Sequence, residues 1–542
     1  MATEAQRYDA VIVGAGFAGL YALHRLRRLG LSVRVLEAGD GIGGTWFWNR
    51  YPGARCDVES LEYSYSFSEE LQQEWCWSER YPAQPEILRY LEHVADRFEL
   101  WPDIQLGTRV VAAAFDEDAD EWTLTTEAAE SFAARWCVMA TGCLSASQVP
   151  RIAGLETFAG EWHHTARWPE DGVDLRGKRV GVIGTGSTGI QLIPEIVEDA
   201  AHTYVFQRTA NFSVPNANRP MDPELERAVK ARYAEQREIA RRSLLGVSIP
   251  PGERGVLEVS EEEALRTFEE RWAQGGGMPV LLSYNDLLVD ERANARIADF
   301  VRSKIRATVK DPELAELLCP RDFPIGAKRL CQDEGYFDTF NRDDVTLVDI
   351  RSAPIQEITP AGLRTTEREY ELDAIIFATG FDALTGALLA IDIRGRDGRT
   401  LRDAWAHGPR SYLGLAIAGF PNLFTVTGPG SPSVLSNVIT SIEQHVEWIS
   451  ECIADLRERG LTRIEASREA QDAWMDHVAE VAALTLFPRA DSWYVGANVP
   501  GKPRVFMPYV GGVGPYRERC EQIAANGYEG FELTSLAAPA SA

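Results

Sequence analysis

Short continuous apolar runs alternate along this chain with stretches whose apolar residues recur every three or four positions. Ala10-Val11-Ile12-Val13 is the first such run, the pattern of a strand buried on both faces. A glycine turn and a helical pattern follow it. The same order returns at Val180-Gly181-Val182-Ile183. A helix is predicted over 85–98, where Ile87, Leu88, Leu91, Val94 and Ala95 share one face. Alternating positions predict short strands over 110–115 and 122–125. The segment 136–142 reads as a buried strand closed by Ala140-Thr141-Gly142, and 373–380 is a near copy. Such strands are either crossings between two domains or ordinary core strands, and the pattern leaves both open. From 211 to 323 Glu, Arg and Ala dominate, with helices predicted over 223–241, 261–272 and 291–308. Ile442, Val446, Ile449, Ile453 and Leu456 define one more amphipathic helix, ended by Gly460. The tail Ala537–Ala542 is expected to be disordered.

The two glycine turns carry the chemistry. Gly14-Ala15-Gly16-Phe17-Ala18-Gly19 and Gly184-Thr185-Gly186-Ser187-Thr188-Gly189 lie 170 residues apart, each between a predicted strand and a predicted helix. Glycines there let the backbone turn tightly and approach a pyrophosphate, which rests on the helix N-terminus. The ribose position follows 23 residues after Gly14, at Glu37, and 24 after Gly184, at Arg208. A carboxylate accepts hydrogen bonds from a free 2′-hydroxyl and suits FAD or NAD; a guanidinium suits the 2′-phosphate of NADP. A chain with both endings is most simply a flavoprotein reduced by NADPH. The predicted class is α/β: two Rossmann-like dinucleotide-binding domains, for FAD and NADP, with a helical insertion in the second. The expected boundaries are 1–143 and 378–542 for the FAD domain, 144–210 and 327–377 for the NADP domain, and 211–326 for the insertion.

Composition narrows the partners. The 542 residues include 55 basic and 81 acidic ones, a net charge of −26, which disfavours nucleic acid and anionic membranes. The cofactor sites therefore need local Arg and Lys. Eight scattered cysteines contain no CxxC, which fits reduced thiols in a cytoplasm and argues against a dithiol oxidoreductase. No His/Cys zinc spacing occurs, so no metal is expected. The start, Met1–Arg7, does not read as a signal peptide, and the apolar stretch 412–426 is broken by Pro421 and Asn422 and too short to span a bilayer. A cytoplasmic monomer is expected.

Before the second fingerprint stands Phe158-Ala159-Gly160-Glu161-Trp162-His163-His164-Thr165-Ala166-Arg167-Trp168-Pro169. This resembles FxGxxxHxxxWP, a signature of the type I Baeyer–Villiger monooxygenases. Gly43-Gly44-Thr45-Trp46 through Tyr51-Pro52-Gly53 to Asp57 matches that family's GGxWxxxxYPGxxxD, and Asp373–Gly380 matches its DxxxxATG strand. The likeness spans about 8–533 and points to the phenylacetone, cyclohexanone and steroid branches. The stretch Leu330–Tyr336 leans toward the cyclohexanone type. The resemblance implies an enzyme with bound FAD that uses NADPH and O2 to turn a ketone into an ester or lactone, through a C4a-peroxyflavin and a Criegee intermediate.

It also implies roles. Arg329 matches the active-site arginine, and Asp57 its partner carboxylate. A guanidinium keeps its proton, so Arg329 can hold positive charge beside an anionic oxidant without protonating it. Lys328 and Thr209 would help Arg208 hold the 2′-phosphate. Trp46, Trp48 and Tyr51 would pack by the flavin, and Gly44, Thr45, Asp57 and Tyr63 would help bind the cofactor. Ser433, Val434 and Leu435 would line the ketone pocket, and Trp493, on a mobile lid over 491–504, would reach toward NADP and substrate when the lid closes. His164 is expected to hold the two domains in register from a linker. Rival readings are a flavin monooxygenase that oxidises nitrogen or sulfur, a non-oxygenating NADPH reductase, and a nucleotide sensor without chemistry.

Overall fold

A computed structural model describes residues 5–535; the tail Ala537–Ala542 lies outside the described residues. Two sheets dominate, the first mixed, with strand 121–126 antiparallel to both its neighbours, and the second wholly parallel. The first runs 392–394, 110–116, 121–126, 131–139, 6–13, 33–36, 104–105, with 423–425 added beside 131–139. Strand Gln6–Val13 is its centre, parallel to both Val33–Leu36 and Ser131–Met139. The second sheet has five strands, all parallel, in the order 345–349, 202–207, 179–183, 374–377, 161–164. Residues 10–12 of the first sheet, and Val180 and Val182 of the second, have no exposed surface, as expected of strands covered on both faces.

The two Ala-Thr-Gly strands are the crossings. After Ser131–Met139 the next strand, Glu161–His164, belongs to the second sheet, and after Ala374–Phe377 the next, Asp392–Arg394, belongs to the first. The two crossing segments run side by side. Gln148 donates its backbone N–H to Gly380 at 3.0 Å, Asp382 to Ala146 at 2.8 Å, and Leu384 to Cys143 at 2.8 Å.

The helical predictions hold at Gln84–Arg97, Glu261–Gln274, Glu291–Thr308 and Val438–Glu458. Ile442, Val446, Ile449, Ile453 and Leu456 are all buried, against helix Phe17–Arg28. The helix predicted over 223–241 is two, Pro223–Lys230 and Tyr233–Arg242. Each is tied separately to the first unit: Lys230 Nζ donates to the carbonyls of Gln73 and Trp75, and the Arg237 guanidinium to Glu62 O and Ser64 Oγ. This part of the helical segment thus packs on the first core, with Tyr233 and Val247, whereas residues from Val256 to Ile325 share the second core.

The segment expected as a linker is also different. Glu161–His164 pairs with Ala374–Phe377 as an edge strand, so the signature sequence is part of the second sheet. Gly160 admits this pairing: a Cβ there would lie 2.4 Å from Asp373 O.

Candidate functional site

Each fingerprint is fastened to the crossing strand of its own sheet. Gly14 has φ +105°, and a Cβ on it would lie 2.5 Å from Ala140 O; Gly184 has φ +114°, with Ala378 O at 2.5 Å. Only glycine fits either turn. Beyond this the two cradles diverge. In the first, Gly43 donates its N–H to Ala15 O at 2.9 Å, and a Cβ on Gly44 would come 3.1 Å from Gly16 Cα. The helix Thr45–Trp48 therefore starts directly over the glycine turn. Trp46 is buried and donates Nε1–H to the Tyr63 hydroxyl at 3.1 Å. Glu37 is buried; its carboxylate accepts N–H bonds from Ala15 at 2.7 Å and Gly39 at 2.8 Å. Burial raises its pKa, and those backbone donors oppose the rise.

In the second cradle a Cβ on Gly186 would meet nothing within 4 Å, so the turn is open above the N-terminus of helix Ser187–Ile196, where Ser187 and Thr188 lie. Thr185 is buried and donates its hydroxyl to Thr209 O at 3.0 Å. Arg208 follows the strand His202–Gln207, is exposed, and enters no ion pair among the described residues. Lys328 lies with its Nζ 4.4 Å from the Phe323 ring centroid. Burial pulls its pKa down, and the Arg208 charge pulls it further. Two cations that repel one another fit a dianion placed between them. Both cradles thus fit dinucleotides, and the second fits one bearing a 2′-phosphate.

Between the cradles, Arg329 and Asp57 form a bidentate pair. Arg329 donates Nε–H to Asp57 Oδ2 at 2.6 Å and Nη2–H to Oδ1, and it donates Nη1–H to Val434 O at 3.2 Å. Burial lowers the arginine's pKa, but the Asp57 charge and hydrogen bonds outweigh it and carry the net shift upward. Tyr494 is buried close by, its hydroxyl pushed up to about 12, chiefly by burial. The site therefore holds a permanent cation beside a phenol that stays protonated at neutral pH.

Trp493, Val434 and Leu435 share a small apolar cluster with Leu288, Phe487 and Phe506. Ser433, the third predicted pocket residue, is fully buried with φ +43°. Its hydroxyl donates to Thr427 O at 3.2 Å and touches Cys143 Sγ at 3.1 Å, so its side chain packs the crossing. The loop read as mobile is docked on the other crossing: Lys502 pairs with Asp382, and Asn498 donates Nδ2–H to Phe381 O at 2.6 Å. His164 is buried where the crossings meet. Its Nδ1 accepts from Ala166 N at 3.1 Å, and its Nε2 lies 3.2 Å from Gln148 O and 3.3 Å from Thr379 Oγ1. Burial lowers its pKa, which favours the neutral ring.

No spacing rule points to Tyr494, Lys502, Asp382 or the Val434 carbonyl; folding alone brings them to the site. A cavity of about 580 Å³ lies elsewhere, lined by Glu79, Asn216, Trp272, Asp333 and Phe337 among others. All eight cysteines are unpaired, and no metal-binding group of His, Cys, Asp or Glu occurs among the described residues. No helix there is long and apolar enough to cross a membrane.

These features define a two-dinucleotide flavoprotein, and comparison with known proteins agrees. The pyridine nucleotide-disulphide oxidoreductase family model matches residues 11–243. The chain is 43% identical to an acetone monooxygenase (methyl acetate-forming) of Gordonia sp., over 97% of this chain and 99% of that one. It is also 43% identical to a Baeyer–Villiger monooxygenase of Pseudooceanicola batsensis, over 96% of this chain and 95% of that one. A solved steroid monooxygenase, oxidised and bound to NADP, superposes with a TM-score of 0.94 at 52% identity, covering 98% of this chain and 100% of the other. The chain belongs to the Baeyer–Villiger monooxygenase family.

Proposed function

We infer that this protein is an FAD-containing monooxygenase that uses NADPH and O2 to convert a small-molecule ketone into an ester or lactone. The observation that carries this reading is the Arg329–Asp57 pair, a cation fixed between an enclosed dinucleotide cradle and an open one. Bound FAD supplies the hydride acceptance and O2 activation that amino-acid side chains lack. Gly14, Gly16, Gly19, Glu37, Gly44, Thr45, Trp46 and Tyr63 would hold it. Gly184–Gly189, Arg208, Thr209 and Lys328 would hold NADPH, with the two cations on its 2′-phosphate.

Arg329 supports the reaction by charge. Three of its N–H donors are engaged by Asp57 and Val434, which leaves two to face an oxygen that becomes negative as the ketone is attacked. Such preorganised donors contribute about 3–4 kcal/mol to a transition state. Asp57 fixes the plane of the guanidinium. Trp493, Val434 and Leu435 form an apolar wall that excludes water and shapes the ketone, with Ser433 holding their backbone. His164 keeps the crossings in register from the edge strand. The FAD domain would comprise 1–143 and 378–542, the NADP domain 144–210 and 327–377, with 211–326 helical. A cytoplasmic monomer completes the proposal, supported by the unpaired cysteines and the net charge of −26.

The test is direct. Purified protein is incubated with NADPH, O2 and cyclic, aryl-alkyl and steroidal ketones, and products are weighed by mass spectrometry. Ester or lactone one oxygen heavier is expected from at least one ketone, and Arg329→Ala should abolish it. Hydrogen peroxide alone, or ester formation that survives in Arg329→Ala, would overturn the reading. Sulfoxide from matched sulfides with no ester from any ketone of the panel would favour nitrogen or sulfur oxygenation.

A further inference from the structure

Gln332 stands three residues after Arg329, on the short strand Cys331–Asp333, paired in parallel with Ser213–Pro215. It is 5% exposed. Its Nε2 donates to the backbone carbonyl of Asp57 at 2.9 Å, while its Oε1 is buried with no hydrogen-bond partner among the described residues. An unpaired buried amide oxygen is a cost that an apolar side chain of similar size would avoid. Turning the amide over would set oxygen against the Asp57 carbonyl, so the acceptor fixes its orientation. A glutamine here is poor for packing, yet it spans the gap between the two partners of the ion pair.

The loop that carries Asp57 is also held by residues 80–84, where Gln84 donates its N–H to Ala54 O at 2.9 Å, Cys56 to Pro82 O at 3.0 Å and Ser60 to Arg80 O at 2.8 Å, and from the NADP side. Gln191, on helix Ser187–Ile196, accepts from the Tyr51 hydroxyl at 2.8 Å and donates to Arg55 O at 3.1 Å. A Cβ on Gly53 would lie 2.4 Å from Gln191 O. These contacts flank Asp57 without engaging its carbonyl. At Asp57 itself the backbone carbonyl is held by Gln332, from the strand that also anchors Arg329.

We propose that Gln332 is a positioning residue: by holding the Asp57 carbonyl to the Arg329 strand, it sets the bidentate geometry on which oxygen transfer depends. The proposal rests on the monooxygenase reading above. Gln332→Met keeps shape and removes the donor. FAD content and KM for NADPH should stay within about twofold, while ester formed per NADPH consumed falls about tenfold and hydrogen peroxide rises in its place, the scale expected from losing one positioning hydrogen bond. In a crystal structure of the variant the Asp57 carboxylate should leave its bidentate contact with Arg329. In an Asp57→Ala background the same substitution should change nothing further, because its route of action is gone. Gln332→Leu, also without a donor, should repeat the loss and serves if the methionine variant fails to bind FAD. An intact Asp57–Arg329 pair in the variant crystals, unchanged coupling, or an equal further loss without Asp57 would overturn the proposal. If the wild type makes no ester, the monooxygenase reading itself fails, and the variant crystal structure still decides whether Gln332 places Asp57.

Discussion

At the ribose position the first unit has Glu37, buried with both carboxylate oxygens on backbone N–H groups; the second has Arg208, exposed and without a counter-charge among the described residues. The same contrast holds at the glycine turns, where Gly16 lies against Gly44 and Gly186 faces open space. One strand–turn–helix plan is thus finished in two ways. Enclosure, satisfied polar groups and aromatic cover suit a cofactor that stays; open access and unbalanced charge suit one that comes and goes. A resident group repays burial of its surroundings, whereas an exchanging one needs a site that does not close in its absence.

The largest effect should come from breaking the enclosed turn. Gly14→Val places a β-branched residue at φ +105° with its Cβ 2.5 Å from Ala140 O. Strain and backbone clash together should cost more than about 4 kcal/mol. The expected product is insoluble or colourless protein, checked by flavin absorbance of the soluble fraction. A yellow, normally melting variant would show that the turn tolerates bulk and that enclosure does not hold FAD.

Charge at the open site comes next. Arg208→Ala should lower kcat/KM for NADPH about 100-fold through loss of a charge-assisted contact of about 2–3 kcal/mol, and leave NADH within about threefold. Flavin content should not change. Equal losses with NADH and NADPH would mean that Arg208 does not read the 2′-phosphate.

A pH series sharpens the same point. Lys328 loses its proton at lower pH than an ordinary lysine, first because it is half-buried and then because of Arg208. KM for NADPH should therefore rise with pH before free lysine would titrate. In Arg208→Ala that rise should move to higher pH, since one cause of the depression is gone. For stability the sign is opposite to that of a salt bridge. The depressed pKa means that the unfolded chain binds the proton more tightly, so without NADPH the penalty is full at low pH and is relieved as pH climbs from the depressed value toward 10.5. A KM that is flat to alkaline pH would remove Lys328 from the phosphate site.

Much of this architecture is legible in local sequence. The fingerprints, Glu37, Arg208 and the faces of the long helices all depend on spacings of a few residues to a few tens, which propensity and periodicity can reach. What is hidden depends on distant pairing. Glu161–His164 becomes a strand only because Ala374–Phe377 lies beside it, and four polar-rich residues give no strand signal alone. The lid is docked through Lys502 and Asp382, 120 positions apart, in a stretch whose glycines and prolines read as mobile. The break near Ala231 comes from side chains that reach residues 62–76 of the first unit, invisible to helical periodicity. Asp57 and Arg329, 272 positions apart, are reachable through family motifs, whereas Gln332 lies in the stretch 330–336, whose likeness to one branch of the family gives the glutamine no role.

The smallest expected effect is at Gly186, and it tests the contrast most cleanly. This glycine has ordinary negative φ, −81°, so alanine adds no backbone strain, and its Cβ meets nothing within 4 Å. Without ligand the variant should melt within about 2 °C of the parent, because a conformationally compatible Gly→Ala change is worth only about 0.4–1 kcal/mol. With ligand the methyl group stands where a pyrophosphate must approach the backbone, so KM for NADPH should rise about fivefold to tenfold while flavin content is unchanged. The matched change on the other side, Gly44→Ala, forces a non-glycine residue to φ +55° with its Cβ 3.1 Å from Gly16 Cα, and should loosen FAD rather than NADPH. If both variants weakened the same nucleotide, the two cradles would not be separate sites, and the division into a resident and an exchanging cofactor would fail.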